Sequence, residues 1–257
     1  MELKFDFEGQ VAVVTGAASG MGFSIAKAFA EAGASVAMVD VNETGLLEKQ
    51  KEICGKTEIF ACDITKYEND AVCIEEIYEK LGRIDILVNC AGGTARRMLN
   101  VPDGDLTDVP ISVFDWGIDL NMKAPLYLSL LSLKKMKEHN SGVIINFGSV
   151  TGEEGDPWGI DYAVSKSAVM GGLTKSLALY GAPYNIRCCC VSPGPIMTRP
   201  GMAGMTTLLK RAGEPEDVMR MVLYLASDYG NFITGTNYFI DGGRVITPDK
   251  TWGGNNN

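Results

Sequence analysis

Seven short runs of apolar, mostly β-branched residues recur along the chain, and stretches of helical character lie between them. That alternation constrains the fold more than any other feature. The runs are Val11–Thr15, Ser35–Asp40, Glu58–Cys62, Ile84–Asn89, Val143–Phe147, Ile186–Val191 and Tyr238–Ile240. They are nearly all apolar and are bounded by Gly, Asn or Asp, a pattern that suits strands buried on both faces of a parallel sheet. Ile74, Ile77, Tyr78 and Leu81 share one helical face near 67–81. Val218, Met221, Val222 and Leu225 do the same near 215–227, where Glu214-Pro215-Glu216 suits a helix start. Alternating β and α elements with right-handed crossovers predict an α/β fold: a doubly wound parallel sheet of about seven strands with helices on both faces. In such a sheet, ligands sit at the carboxyl ends of the strands.

No Pro/Gly/Ser-rich linker divides the 257 residues, so residues 1–247 read as a single domain. Residues 248–257 read as a polar C-terminal tail, expected to fray. Composition closes several functional classes. Acidic residues number 32 and basic ones 23, a net charge of −9, which argues against nucleic acid as a partner. The single histidine, His139, excludes any zinc site needing two, and no metal is expected. It sits in KKMKEHNSG, a charged helix end, and reads as a surface or structural residue. Seven cysteines without a C-x-x-C pair, three of them consecutive at Cys188, Cys189 and Cys190, suit apolar packing in a reducing cytosol. No signal-peptide pattern opens the chain and no uncharged apolar run approaches ~18 residues. The expected location is therefore cytoplasmic.

Glycine is the composition's excess, 30 residues, and the first strand runs straight into a glycine-rich loop, Thr15-Gly16-Ala17-Ala18-Ser19-Gly20-Met21-Gly22, followed by a helix. The spacing is G-x-x-x-G-x-G, yet the physics matches that of dinucleotide-binding loops. One glycine makes the tight turn, the next admits a pyrophosphate against the backbone, and Gly22 lets the helix pack on the sheet. Asp40 ends the second strand, 18 positions beyond Gly22. A carboxylate there accepts hydrogen bonds from ribose hydroxyls and repels a 2′-phosphate. With Val41 after it and Ser19 before Gly20, no Arg or Lys stands where a 2′-phosphate would need one, so the expected cofactor is NAD. Asp40 as a cap for the following helix is the alternative. Loop and sheet together make the predicted fold Rossmann-type.

With imidazole nearly excluded, an acid/base must come from elsewhere. Tyr162 and Lys166 are spaced i, i+4 at a predicted helix start and share one face. A nearby ammonium favours tyrosinate and lowers the phenol from its reference of about 10 toward working pH. Such a phenol can exchange a proton with an alcohol oxygen. Ser149 lies at the carboxyl end of the strand VIINF. Gly148-Ser149-Val150-Thr151-Gly152 approaches a hydrolase elbow, but its serine is one place early for G-x-S-x-G.

Taken together, T-G-A-A-S-G-M-G at 15–22, Asp63 in C-D-I-T, N-C-A-G at 89–92, Asn121 in L-N-M-K, Ser149, Y-A-V-S-K at 162–166 and P-G-P-I-M-T at 193–198 are ordered motifs. On them, and over roughly residues 7–245, the sequence resembles the classical short-chain dehydrogenase/reductase family. The resemblance implies Tyr162 as general acid/base, and Lys166 as the group that lowers its pKa and holds the nicotinamide ribose. It implies Ser149 on the substrate oxygen, and Asn121 keeping a water in a proton relay through Lys166. Asp63 and Ile64 would contact adenine, and Asn89 to Gly92, Ala91 included, would back the adenosine ribose. Pro193, Ile196 and Thr198 would border the nicotinamide, with Ile196 and Thr198 holding its carboxamide, and Gly16, Ser19, Gly20, Met21 and Gly22 would cradle the phosphates. The implied activity is NAD(H)-dependent interconversion of a secondary alcohol and a ketone. A polyol or sugar, a hydroxysteroid and a 3-hydroxyacyl compound are all open as substrate. The implied assembly is a homotetramer or dimer through helices around 112–138 and 161–181. A non-catalytic dinucleotide sensor on the same fold is the alternative.

Three features depart from that pattern. The segment V-P-D-G-D-L-T-D-V-P is longer than expected, and the lid between Thr198 and Glu214 is short. A short lid leaves the pocket open unless residues 99–110 cover it. Gly171 and Gly172 interrupt the helix after Lys166, which implies close packing against another helix or a bulge. Arg96 and Arg97 on one loop, and Glu153, Glu154 and Asp156 with Trp158 on another, should border the pocket mouth. The arginines suit a carboxylate or phosphate; the acidic trio suits a polyol or a cation.

Overall fold

The computed structural model describes residues 4–102, 104–248 and 250. Its strands are β1 (Val11–Thr15), β2 (Ser35–Asp40), β3 (Lys56–Ala61), β4 (Ile86–Asn89), β5 (Gly142–Phe147), β6 (Ile186–Pro193) and β7 (Asn237–Ile240). All pair in parallel, in the order β3-β2-β1-β4-β5-β6-β7. The chain winds outward from β1 in both directions, as the alternation predicts. Boundaries shift by one or two residues, as at β3, which runs Lys56–Ala61 rather than Glu58–Cys62. Strand β4 begins at Ile86; just before it, the Asp85 carboxylate accepts the Val11 N–H at 2.8 Å while the Asp85 N–H donates to the Val11 carbonyl at 3.0 Å. Strand β6 runs on to Pro193 because Ser192 and Pro193 still pair with Phe239 and Ile240.

The helices are α1 (Gly20–Glu31), α2 (Glu43–Gln50), α3 (Tyr67–Leu81), α4 (Ala95–Met98), α5 (Ile111–Ile118), α6 (Ala124–Met136), α7 (Thr151–Glu154), α8 (Ile160–Ala168), α9 (Thr174–Gly181) and α10 (Pro215–Ala226). Strand alternation divides the core between the two faces. Ala12, Val14, Val36, Met38, Ile86 and Val88 pack with Ile25 and Phe29 of α1 and Val218 and Val222 of α10. Val13, Ala37 and Leu87 pack on the other side with Ile74 and Ile77 of α3, Leu128 of α6 and Leu177 of α9. Each of the larger side chains among them contributes about 1.5–3 kcal/mol by leaving water. The cysteine run obeys the same alternation, with Cys188 in one layer and Cys189 in the other. All seven cysteines are free thiols. His139 lies in a short turn with its Nε2 3.4 Å from Asp85. Among the described residues no helix is long and apolar enough to cross a membrane.

Two helices swell into π-turns, at Asp119–Lys123 between α5 and α6, and at Val169–Leu173 between α8 and α9. The glycine pair therefore marks a bulge. A Cβ at Gly171 or Gly172 would meet nothing within 4 Å, so no helix of the same subunit requires them. Of the C-terminal tail, only Pro248 and Lys250 are described; the remainder of 248–257 lies outside the described residues.

One buried carboxyl group works against this packing. Asp70, in the first turn of α3, is fully buried, and among the described residues neither carboxylate oxygen has a hydrogen-bond partner. Burial, with Asp63 adding repulsion, pushes its pKa up to about 8. An unfolded Asp titrates near 4, so between about pH 4 and 8 the folded state holds a proton that the unfolded chain has released. Stability then falls as pH rises through that window. Asp70→Asn should raise Tm at pH 8 by a few degrees, roughly 2–6 °C, and the gain should vanish near pH 4. Thermal unfolding at the two pH values measures it; an equal shift at both would remove titration as the cause.

Candidate functional site

A cleft of about 1750 Å³ runs along the carboxyl edge of the sheet, across the point where β1 and β4 lie side by side and the chain departs in opposite directions. At its centre are Gly16, Ser19, Gly20, Met21 and Gly22. Gly16 has φ +72°, which favours glycine. A Cβ at Gly22 would drive into the Gly16 carbonyl, so helix α1 can begin this close to the loop only without a side chain there. Ser19 stands at the N-cap of α1 with its hydroxyl making no cap hydrogen bond, and the start of the helix opens onto the cleft. The Ala91 N–H donates to Thr15 Oγ1 at 3.0 Å, locking the loop after β4 against the end of β1.

Asp40, Asp63 and Ile64 line one end. Asp40 accepts the Ala18 N–H at 3.1 Å and the Asn42 N–H at 3.0 Å, one on each carboxylate oxygen. Each oxygen keeps a lone pair for a ligand. Asn42, which accepts the Gly45 N–H at 3.0 Å, is the cap of α2, so Asp40 is free of that duty. Asp63 is fixed by the Thr65 N–H and hydroxyl at 3.0 and 2.7 Å. Asn89 does not reach the cleft. Its amide donates inward to Asn146 Oδ1 at 2.9 Å and Ser129 Oγ at 3.1 Å, because a buried amide at a strand end needs partners and the neighbouring strand supplies one. Ala91 and Gly92 form the wall in its place.

At the other end Ser149, Tyr162 and Lys166 converge, with Pro193, Ile196 and Thr198 opposite. Ser149 Oγ accepts the Thr151 N–H at 3.1 Å and hydrogen-bonds the Tyr162 phenol. Lys166 Nζ donates to the Phe147 carbonyl at 2.8 Å and lies 5.5 Å from the Tyr162 ring centroid. Burial pulls the Lys166 ammonium down to about 8. Burial also raises the Tyr162 pKa above 10, opposed by the Ser149 hydrogen bond and then by Arg199 and Arg97. The phenol therefore departs from the sequence expectation in direction: desolvation outweighs its cationic neighbours. Asn121 is fully buried behind the wall. Its amide donates to the Gly93 and Gly117 carbonyls, both at 2.9 Å, while its Oδ1 accepts the Gly93 N–H at 3.0 Å. It clamps the Gly92–Gly93 loop from within the first π-turn.

The mouth resolves differently from the sequence reading. Glu154 turns away from the cleft and into the protein, ion-paired with the fully buried Arg244 at 3.3 Å and with Lys250 at 2.9 Å. Glu153 does not line the cleft; Asp156, Trp158, Arg96 and Arg97 do. The short segment after Thr198 folds down onto the exit of β7, with the Leu209 N–H donating to the Gly242 carbonyl at 3.1 Å, and contributes Met202 and Met205 to the lining. Val101 and Gly104 border the cleft from the opposite side. Sequence reasoning missed Arg199, which follows Thr198 directly, and Arg244. For Arg199 its neighbour was a signal; for Arg244 no local pattern distinguishes a buried arginine from a solvated one.

Comparison with known proteins gives consistent relatives. Residues 16–244 match the family model described as enoyl-(acyl carrier protein) reductase. The chain is 36% identical over 253 residues to the 3-oxoacyl-(acyl-carrier-protein) reductase FabG of Thermotoga maritima, covering 93% of this chain and 99% of that one. It is 34% identical over 252 residues to an NAD-dependent glycerol dehydrogenase of Listeria innocua, covering 94% and 96%. A crystal structure of a short-chain type dehydrogenase/reductase from Mycobacterium marinum superposes with a TM-score of 0.84 at 30% identity, covering 95% of this chain and 98% of that one.

Proposed function

The chain belongs to the short-chain dehydrogenase/reductase family, and from that premise we propose that it is an NAD-dependent oxidoreductase interconverting a secondary alcohol and a ketone. The observation that carries this reading is one cleft with Ser149, Tyr162 and Lys166 at one end and the glycine loop and Asp40 toward the other. The relatives' names add a glycerol dehydrogenase and a 3-oxoacyl reductase, both acting between a carbinol and a carbonyl.

The residues fit a nicotinamide dinucleotide. Gly22 leaves the space that a Cβ would fill, the start of α1 opens onto the cleft, and Asp40 presents acceptors suited to ribose hydroxyls. When bound, the nicotinamide supplies the hydride acceptor or donor. Ser149 holds the substrate oxygen and Tyr162 exchanges its proton. Lys166, with one N–H on the Phe147 carbonyl, offers its other two to the ribose and to the proton path. Asn121 keeps the Gly92–Gly93 wall in register, and a water held in the relay would pass the proton toward solvent. Tyr162, Lys166, Ser149 and Asn121 are together more machinery than a non-catalytic sensor needs. The polyol, hydroxysteroid and 3-hydroxyacyl classes all remain within this reading. We assign the enzyme to the cytoplasm as a homotetramer or homodimer, a reading supported by exposed Leu130, Val164, Leu179 and Tyr180 on α6, α8 and α9.

Three outcomes test these statements. Tyr162→Phe should lower turnover by about 10²–10⁴-fold while NADH still binds, as read by NADH fluorescence; retention of wild-type turnover sinks the role of Tyr162. The ratio of kcat/KM for NAD over NADP should exceed about 10-fold, and parity would contradict the part given to Asp40. Light scattering should report a dimer or tetramer, and a monomer would remove the assembly.

A further inference from the structure

Arg97 and Arg199 differ from the other charged groups at the reaction end of the cleft. Asp156 accepts the Trp158 N–H on one oxygen at 2.9 Å, and Arg96 donates to the Pro102 carbonyl at 2.9 Å. Glu154 is consumed by Arg244. Arg97, from α4, and Arg199, from the segment after β6, both line the cleft, and among the described residues no carboxylate pairs with either. The Arg97 guanidinium lies over Gly93, where a Cβ would come within 2.6 Å of Nη2, and Gly93 is in turn clamped by Asn121. The two guanidiniums are near enough to repel one another, and burial with that repulsion holds Arg199 below its usual range. Both bear on the Tyr162 phenol. Both side chains keep solvent exposure, and two cations without a carboxylate partner on one cleft wall beside a proton-transfer group can give a bound anion charge-assisted hydrogen bonds.

We propose that Arg97 and Arg199 receive an oxyanion, a carboxylate or a phosphate, carried by the substrate on the same molecule as its secondary alcohol. The substrates are then hydroxy acids or hydroxy phosphates and their keto forms. Trp116, Trp158, Met202 and Met205 line the same cleft and would pack against the carbon skeleton. The proposal rests on the oxidoreductase reading for the alcohol and on the arginine pair for the anion.

Titration calorimetry on the NADH-saturated enzyme, with malonate and with inorganic phosphate as separate probes, measures the anion site without turnover. The expected result is saturable binding of at least one probe, with Kd on the order of 1 mM or tighter. Arg97→Met and Arg199→Met should each weaken it about 10-fold or more, and Arg97→Lys and Arg199→Lys by less. Malonate preferred over phosphate identifies a carboxylate, and the reverse a phosphate. No saturable binding of either probe overturns the proposal. So does an equal loss of NADH affinity in the Met variants, which would give the arginines to the cofactor's own phosphates. In parallel, 3-hydroxybutyrate should exceed its methyl ester in kcat/KM, or glycerol 3-phosphate should exceed glycerol, by about 10-fold or more. Neutral substrates oxidised equally well or better overturn the proposal while leaving the oxidoreductase reading intact. Arginine-dependent anion binding with no alcohol oxidised across a broad panel overturns the oxidoreductase reading and, with it, the anion's assignment to a substrate.

Discussion

The side-by-side pairing of β1 with β4 is the constraint on which the rest of the site depends. The two strands run parallel, yet the chain leaves β1 toward β2 and leaves β4 toward β5, so their exit loops diverge and open the cleft between them. The Thr15 hydroxyl, accepting the Ala91 N–H at 3.0 Å, fixes the two loops together at that point. The fit is close. A Cβ at Gly16 would stand 3.0 Å from the Ala91 Cα, so the glycine turn after β1 and the loop after β4 touch through bare backbone. Moving either loop would disturb both the start of α1 and the wall that Asn121 holds from behind.

Burial, more than pairing, sets the electrostatics at the reaction end. The neighbouring ammonium argued for a depressed tyrosine, and the geometry gives a phenol pushed upward and a lysine pulled down to about 8. Desolvation disfavours the charged form of each group, so it moves an acid and a base in opposite directions. Any cation bound over this end favours tyrosinate, and any anion between Arg97 and Arg199 removes two of the contributions that now oppose burial. The proton affinity of Tyr162 is therefore a property of the loaded cleft.

Elements whose cause is local were legible in the sequence. Strands buried on both faces announce themselves by unbroken apolar runs, and the tight turn after β1 by glycines where a side chain has no room. Asp40 stood out as a carboxylate at the end of an otherwise apolar strand. What could not be read depends on groups distant in the chain. Asn89 turns inward because Ser129 and Asn146, 40 and 57 residues away, complete its hydrogen bonds. Glu154 withdraws from the mouth because Arg244, 90 residues later, is buried against it. Without that partner Glu154 is indistinguishable in sequence from Glu153. The balance of charge at the mouth was therefore undecidable from composition and turns on one long-range ion pair.

The two π-turns bear on how a proton could leave. Asn121 sits in the first, with both amide N–H groups spent on Gly93 and Gly117 and its oxygen engaged by the Gly93 N–H. An amide so occupied has no donor left to pass on, which limits its side chain to holding the wall. Lys166 belongs to α8, just before the second π-turn, and with one N–H fixed on the Phe147 carbonyl it keeps two donors. In the proposed relay, the Lys166 ammonium is the group with donors to spare. Any contribution of Asn121 to it would come from the main chain of its π-turn, where hydrogen bonding departs from the regular α-helical pattern.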